Sequence, residues 1–332
     1  MLAPGVRPCW CQFILAFFKP VTPMYLSRFL LLNIFLEVKA MHLMLLSPTE
    51  YAKLQELCDL FDNYLAVSAI IAGETPAQVY VDDMNIPTVA LLFPWDGHRV
   101  YLVGETHNEQ LIQEIKRALF SFFSPFKKQG RSYEFLIYYA SSLWEPHFSS
   151  LCEGMETRVA RRQYYGITQV LPRWQEYLPA AWLLRRIDAQ LLGEQQLRYL
   201  PELIEEVHSE SPSVQDFLAR KFGYCVQEDH TLLGWCLSEY NHEDRCEVGI
   251  ETMSQYRKLG VGVITASALI AHALAQGITK IGWHCWKDNE PSSALAIKLG
   301  GTLVAEYAVQ REFGEGNLLI EWLVDKEQPI RR

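Results

Sequence analysis

The chain is 332 residues long, 49% hydrophobic and 21% charged, the make-up of a folded protein with room for two cores of ordinary size. Its 30 basic against 39 acidic residues leave a formal charge of −9, the wrong balance for a nucleic-acid or membrane-surface partner. Eight cysteines, at 9, 11, 58, 152, 225, 236, 246 and 285, lack a paired zinc-knuckle spacing, so no metal is expected and they read as reduced thiols of a cytoplasmic protein.

In chain order, residues 1–43 come first, with apolar runs at 10–18 and 29–36 bounded by Lys19, Arg28, Glu37 and Lys39. Neither run reaches the ~20 residues that cross a bilayer, and the segment reads as an apolar N-terminal extension from an upstream start, of no structural consequence; a membrane anchor is the alternative. A helix is expected over 48–65 with Thr49 as its N-cap. Strands are expected at 78–83, 88–93 and 100–103, with Pro94-Trp95-Asp96-Gly97 as the turn between the last two. An amphipathic helix over 108–123 and strands at 135–139 and 158–165 complete a first α+β unit, 44–170, which has no glycine-rich turn. The prolines of 172–179 mark a boundary, and a second unit spans 180–332. It opens with a strand at 182–187 and helices at 194–208 and 213–220. Strands follow at 222–227, 231–238 and 246–252, then a glycine turn and a helix over 261–276. A strand at 280–286, a short helix at 291–298 and strands at 302–309 and 318–324 close it. The fold class is α+β: a mixed, mostly antiparallel central sheet flanked by helices. The two units share an order of elements, which allows a duplicated fold.

The turn Arg257-Lys258-Leu259-Gly260-Val261-Gly262 carries the most information. It joins a β-like run ending Ile250-Glu251-Thr252 to a nearly charge-free helix. A helix N-terminus has unpaired N–H groups and a partial positive charge, and glycine lets that backbone approach a diphosphate closely. An ordinary tight turn is the plain alternative. A second element follows at a fitting distance, Trp283-His284-Cys285-Trp286-Lys287-Asp288-Asn289, a strand running into an Asn-containing turn.

With these residues the second unit resembles the Gcn5-related N-acetyltransferases. The likeness is nearer to a two-domain branch that includes the zwittermicin A resistance acetyltransferase, carried by 234–240, 246–252 and 286–289. It extends from about Pro48 to the C-terminus. The resemblance implies an acetyl-CoA N-acyltransferase fold, in two tandem copies of which the first is degenerate. It implies acetyl-CoA as co-substrate, with its diphosphate on Arg257, Lys258, Leu259, Gly260, Val261 and Gly262. The pantetheine arm would pair with Ile250, Glu251 and Thr252, and Asn289 would touch that arm, although an N-cap role suits an Asn there equally well.

Transfer to an amine needs a base and a polarised thioester carbonyl. Glu247 and Glu251 alternate onto one face of their strand with Gly249 between them, and a cationic substrate suits that face. A solvent-facing strand pair is the alternative. Glu239 and His284 are secondary candidates. Many members of the superfamily carry a Tyr seven residues after the Asn, as acid for the leaving thiolate; here that position is Ala296. The expected activity is direct transfer of acetyl from acetyl-CoA to a primary amine of a small molecule, in a ternary complex. The competing reading is an acyl-CoA-binding sensor without turnover. Neither the acceptor nor the oligomeric state is written in the sequence.

Overall fold

A computed structural model describes residues 43–95, 97–127, 134–155 and 157–313, and among them twelve strands and six α-helices of seven residues or more organise the fold. The extension before residue 43 and the strand expected at 318–324 lie outside the described residues. The first half contributes β1 (Met44–Leu45), helix α1 (Leu65–Ile71), β2 (Ala77–Val81), β3 (Val89–Pro94) and β4 (Arg99–Gly104). It continues with α2 (Glu109–Lys127), β5 (Glu134–Tyr139) and β6 (Thr157–Ile167). The second half repeats the pattern with β7 (Leu183–Arg186), α3 (Leu200–Glu210), α4 (Val214–Arg220), β8 (Gly223–Glu228) and β9 (Thr231–His242). It ends with β10 (Arg245–Thr252), α5 (Val261–Ala275), β11 (Lys280–Trp286), α6 (Glu290–Lys298) and β12 (Thr302–Phe313).

All twelve strands form one sheet in the order β1-β2-β3-β4-β5-β12-β6-β11-β10-β9-β8-β7. Advancing each strand by six positions and reversing the list reproduces the same order, so the two halves are related by an internal two-fold. The last strand of each half crosses over: β12 lies beside β5, and β6 lies beside β11. β4–β5 and β10–β11 are parallel, and the other neighbouring pairs are antiparallel. The sheet is mixed and mostly antiparallel, as the sequence leads one to expect, and two tandem copies of one fold build it.

In each half the parallel pair is zipped over four residues and then splits. β4 pairs with β5 from Arg99 to Leu102, and β10 pairs with β11 from Arg245 to Val248. The first split is closed by Trp144, which is 1% exposed and donates its indole N–H to the Gly104 carbonyl at 2.9 Å. The backbone acceptor at that strand end is therefore already taken. Among the described residues the second split has no aromatic plug: its β10 edge from Gly249 to Thr252 pairs with β9 alone, and only at its far end are the Thr252 amide and carbonyl met by Glu251 Oε1 and Arg257 Nε.

Two helix boundaries differ from expectation. The 48–65 segment is not one helix; it runs as 3₁₀ turns at Pro48–Leu54 and Asp59–Phe61 around a single α turn, and α1 follows separately. Ser47, not Thr49, holds the N-cap position. Tyr51, Leu54, Cys58 and Phe61 are all buried, and a stripe every three or four residues is served by tight turns as well as by an α-helix. The helix expected from 194 begins only at Leu200, because Tyr199 is left-handed (φ 67°) and Pro201 sets the first turn. By contrast α5 matches its expectation closely. Its apolar residues face two clusters, Val263, Ala266, Leu269, Ile270 and Ala273 on one side and Val261, Ile264 and Ala268 on the other. A helix apolar all round is a buried helix, and here it is clamped against the sheet with its N-terminus at the open split.

Candidate active site

The open split and the glycine turn meet at one end of β10. Gly260 is the N-cap of α5 with φ +98°, a conformation that side chains resist, and a Cβ built there would meet nothing within 4 Å. The preceding Lys258 is also left-handed, at φ 62°. The first-turn amides of α5, from Val261 onward, lack intrahelical partners by helix geometry. At Gly262 a Cβ would lie 2.9 Å from Leu295 Cδ2 and 3.4 Å from Ile250 Cδ1, so the missing side chain leaves the gap between α5, α6 and β10 clear. Leu259 is exposed and Val261 is buried. Arg257 folds back on the strand end: its Nε donates to the Thr252 carbonyl at 3.0 Å and its Nη2 to Glu251 Oε1 at 3.1 Å. The expected diphosphate residues and the expected strand edge, Ile250, Glu251 and Thr252, are thus contiguous.

Asn289 is the N-cap of α6, its Oδ1 accepting from the Ser292 amide at 3.3 Å, and it also lines the cavity described next. Ala296, where a tyrosine is usual in the resembled enzymes, is fully buried among Ile281, Trp283 and Leu299. A phenol would have no room there, so any acid for a leaving group must come from elsewhere.

On the opposite face of the split lies a cavity of about 220 Å³. Gly249, Ile250, His284 and Asn289 form its floor, and Tyr64, Arg99, Tyr138 and Arg162 reach it from the first half. An acidic groove continues from it past Glu206 to Glu202, Glu205 and Glu251. The two carboxylates expected as bases do share this face, and both are engaged. Glu247 is 7% exposed; its Oε1 accepts from the Leu65 amide at 2.6 Å, at the start of α1, and stands 3.2 Å from His284 Nε2. Glu251 is held by Arg257 and by the Thr252 amide.

Between them lies Glu239. A Cβ on Gly249 would fall 2.1 Å from its Oε1, so the glycine of β10 is what admits this carboxylate to the face of the strand. A register shift between β9 and β10 at Glu247/Val248 turns Glu239 inward. No hydrogen bond or ion pair engages Glu239 among the described residues. Burial, reinforced by Glu210, pushes its carboxyl up to about 8. Glu206 is pushed up to about 7, again by burial first and then by Glu210 and Glu251. Glu210 goes the other way: burial opposes its charge, but Arg99 and Lys221 beside it hold the carboxyl below its ordinary value. One ionised carboxylate locked to arginine beside two that titrate near neutrality is an arrangement suited to accepting protons.

Sequence reasoning missed Arg99, Tyr138, Arg162, Glu206 and Tyr307. Tyr138, read as a strand aromatic, accepts from Arg162 Nη1 at 2.6 Å, and Arg99 donates to Tyr240 and Glu210. None sits in a local motif; the exchanged strands bring in Arg162 and Tyr307, and β4, β5 and α3 bring in Arg99, Tyr138 and Glu206. Among the described residues no group of His, Cys, Asp and Glu is placed to hold a metal, and no helix is long and apolar enough to cross a membrane.

The fold is shared with known proteins. A GCN5-related N-acetyltransferase-like protein from Streptococcus suis superposes with a TM-score of 0.58 at 19% identity, covering 80% of this chain and 99% of that one. A tandem GNAT protein from the clavulanic acid biosynthesis pathway gives a TM-score of 0.51 at 12% identity over 81% of this chain and 98% of its own. In sequence, an uncharacterized N-acetyltransferase of Bacillus subtilis, YdfB, is 24% identical over 266 residues, 80% of this chain and 96% of that protein. Residues 55–310 match the profile described as GNAT acetyltransferase, a span that takes in both halves, the split and the glycine turn. The chain therefore belongs to the GNAT acetyltransferase family.

Proposed function

We propose that the protein moves the acetyl group of acetyl-CoA directly to a primary amine of a small molecule, within a ternary complex in the cytoplasm. The observation that carries the reading is the unpaired β10 edge running into the Gly260 turn, with a carboxylate-lined cavity on the other face of the same strand. Backbone groups of Ile250, Glu251 and Thr252 would pair with the pantetheine amides as an added strand does. The amides of Leu259 to Gly262 would hold the diphosphate, with Lys258 close by and Arg257 bracing the turn through Glu251. Asn289 would meet the pantetheine arm while capping α6. These side chains suit the co-substrate: the turn leaves open space at Gly260 where phosphate oxygens would lie.

Glu239, which no hydrogen bond or ion pair engages among the described residues, would take the proton from the incoming ammonium, and its raised pKa makes its carboxylate form the stronger base. Glu251 and Glu247 remain in the catalytic set through their partners, Glu251 by fixing Arg257 and Glu247 by facing His284. We further read 44–170 as a degenerate copy whose split is plugged by Trp144, and 180–332 as the catalytic copy, with 1–43 outside both. The first copy serves the second by lending side chains to the cavity wall.

The reading is tested by calorimetric titration with acetyl-CoA, followed by thiol release in the presence of a panel of small primary amines. Binding with amine-dependent release is expected. Binding without release for any amine would favour the sensor reading, and no binding would overturn both.

A further inference from the structure

Near the mouth of the split, the Glu247–His284 contact extends as a chain to a third residue, Tyr307, to which the proposed transfer gives no role. Glu247 Oε1 stands 3.2 Å from His284 Nε2, and His284 Nδ1 lies 2.8 Å from the Tyr307 hydroxyl. His284 is the first residue of β11 beyond the four-residue zipper, level with Gly249 across the split. Tyr307 comes from β12, on the far side of β6, and its side chain lines the same cavity as Gly249, Ile250 and Asn289.

The geometry of the chain is fixed from every side. The His284 ring lies parallel to Tyr164 (centroids 4.5 Å apart, 13°) and to Tyr64 (6.3 Å, 11°). Glu247 is tied to the Leu65 amide at 2.6 Å, and Tyr307 packs edge-on to Tyr64. The Tyr307 hydroxyl is hydrogen-bonded to Nδ1, while Nε2 is buried without a hydrogen bond and has the Glu247 carboxylate 3.2 Å away, near enough to balance charge on the ring. A buried histidine with one hydrogen-bonded partner is often only structural. Here it sits where the thioester would enter, in a protein whose usual acid position is the buried Ala296.

We propose that Tyr307, backed by His284 and Glu247, is the proton shuttle of acetyl transfer, carrying a proton from the substrate nitrogen to the sulfur of coenzyme A. The inference rests on the acetyl-transfer reading. Glu239 takes the first proton from the ammonium, and the free amine attacks the thioester carbon, forming the C–N bond. The nitrogen then carries a second proton that must leave. It passes to the Tyr307 oxygen while the phenolic proton moves to His284 Nδ1, and Glu247 balances the imidazolium. As the C–S bond breaks, its electron pair leaves on sulfur; the protons retrace their path and one ends there. Tyr307 and His284 finish as they began, Glu239 releases the first proton to solvent, and the products are an amide, a neutral thiol and that proton. Tyr307 is the catalytic residue of the set; His284 and Glu247 are positioning residues.

The test needs only coenzyme A, not the acceptor. The ultraviolet absorbance of the thiolate is followed against pH for free CoA and for CoA bound to wild type, Tyr307→Phe and His284→Gln, with melting curves to establish folding. A shuttle that can hold the proton makes the bound thiol ionise about one pH unit lower in wild type than in free CoA. Each variant that folds is expected to lose that shift. If wild type binds CoA without the shift, or a folded variant keeps it, the shuttle is wrong while acetyl transfer stands. If wild type does not bind CoA, acetyl transfer itself falls and the shuttle with it.

Discussion

Replacing Gly260 by valine is expected to weaken acetyl-CoA binding about 100-fold or more while leaving the fold intact. At φ +98° a β-branched residue costs roughly 1–3 kcal/mol, which the turn relieves by rotating away from the left-handed region. That rotation re-aims the amides on either side of Gly260. Losing two hydrogen bonds to a charged phosphate, at about 1.5–3 kcal/mol each, accounts for the 100-fold. A Cβ there meets no protein atom within 4 Å, so the core does not resist its attachment; the space it enters is where the ligand would lie. Calorimetry with acetyl-CoA beside a thermal melt separates the two effects. Unchanged affinity would remove the turn from the binding site.

Glu239→Gln is expected to lower kcat about 100-fold with little change in acetyl-CoA affinity, the scale of a lost general base. The pH dependence gives the sharper signature. The base form is the carboxylate, so wild-type kcat/KM should climb as pH rises through about 8, and the variant should lose that rise. Stability should move in the opposite sense. An exposed glutamate gives up its proton near 4.5, whereas the folded protein holds this one up to about 8. The unfolded state therefore binds fewer protons across that window, and wild-type stability falls as pH rises from 4.5 to 8. The glutamine variant lacks this contribution, so its melting temperature should gain on wild type over the same range. A profile that keeps its rise in the variant would place the base elsewhere.

What the sequence disclosed and what it withheld divide along a physical line. The β10–α5 turn was legible because its signals are local: a strand, glycines where the backbone must turn or approach closely, and an apolar helix. The strand at 280–286 was legible for the same reason. The alternation of Glu247, Gly249 and Glu251 correctly put them on one face. It could not tell that α1, nearly two hundred residues away in sequence, would seat its first amide on Glu247 and bury it. Nor could it tell that a register shift would turn Glu239 onto that face, because a bulge is decided by pairing between strands. The shared order of elements hinted at duplication; the exchange of β6 and β12 did not show, since nothing in a single strand says which neighbour it will choose. That exchange puts Tyr307 and Arg162 in the cavity.

The central claim is that the main-chain amides at the start of α5 grip the diphosphate of coenzyme A. A crystal structure of the protein with CoA bound tests it most directly. The account predicts diphosphate oxygens within hydrogen-bonding distance of the amides of Leu259 to Gly262 and the pantetheine arm extended along Ile250 to Thr252. Coenzyme A bound at another surface, with that turn empty, would contradict it.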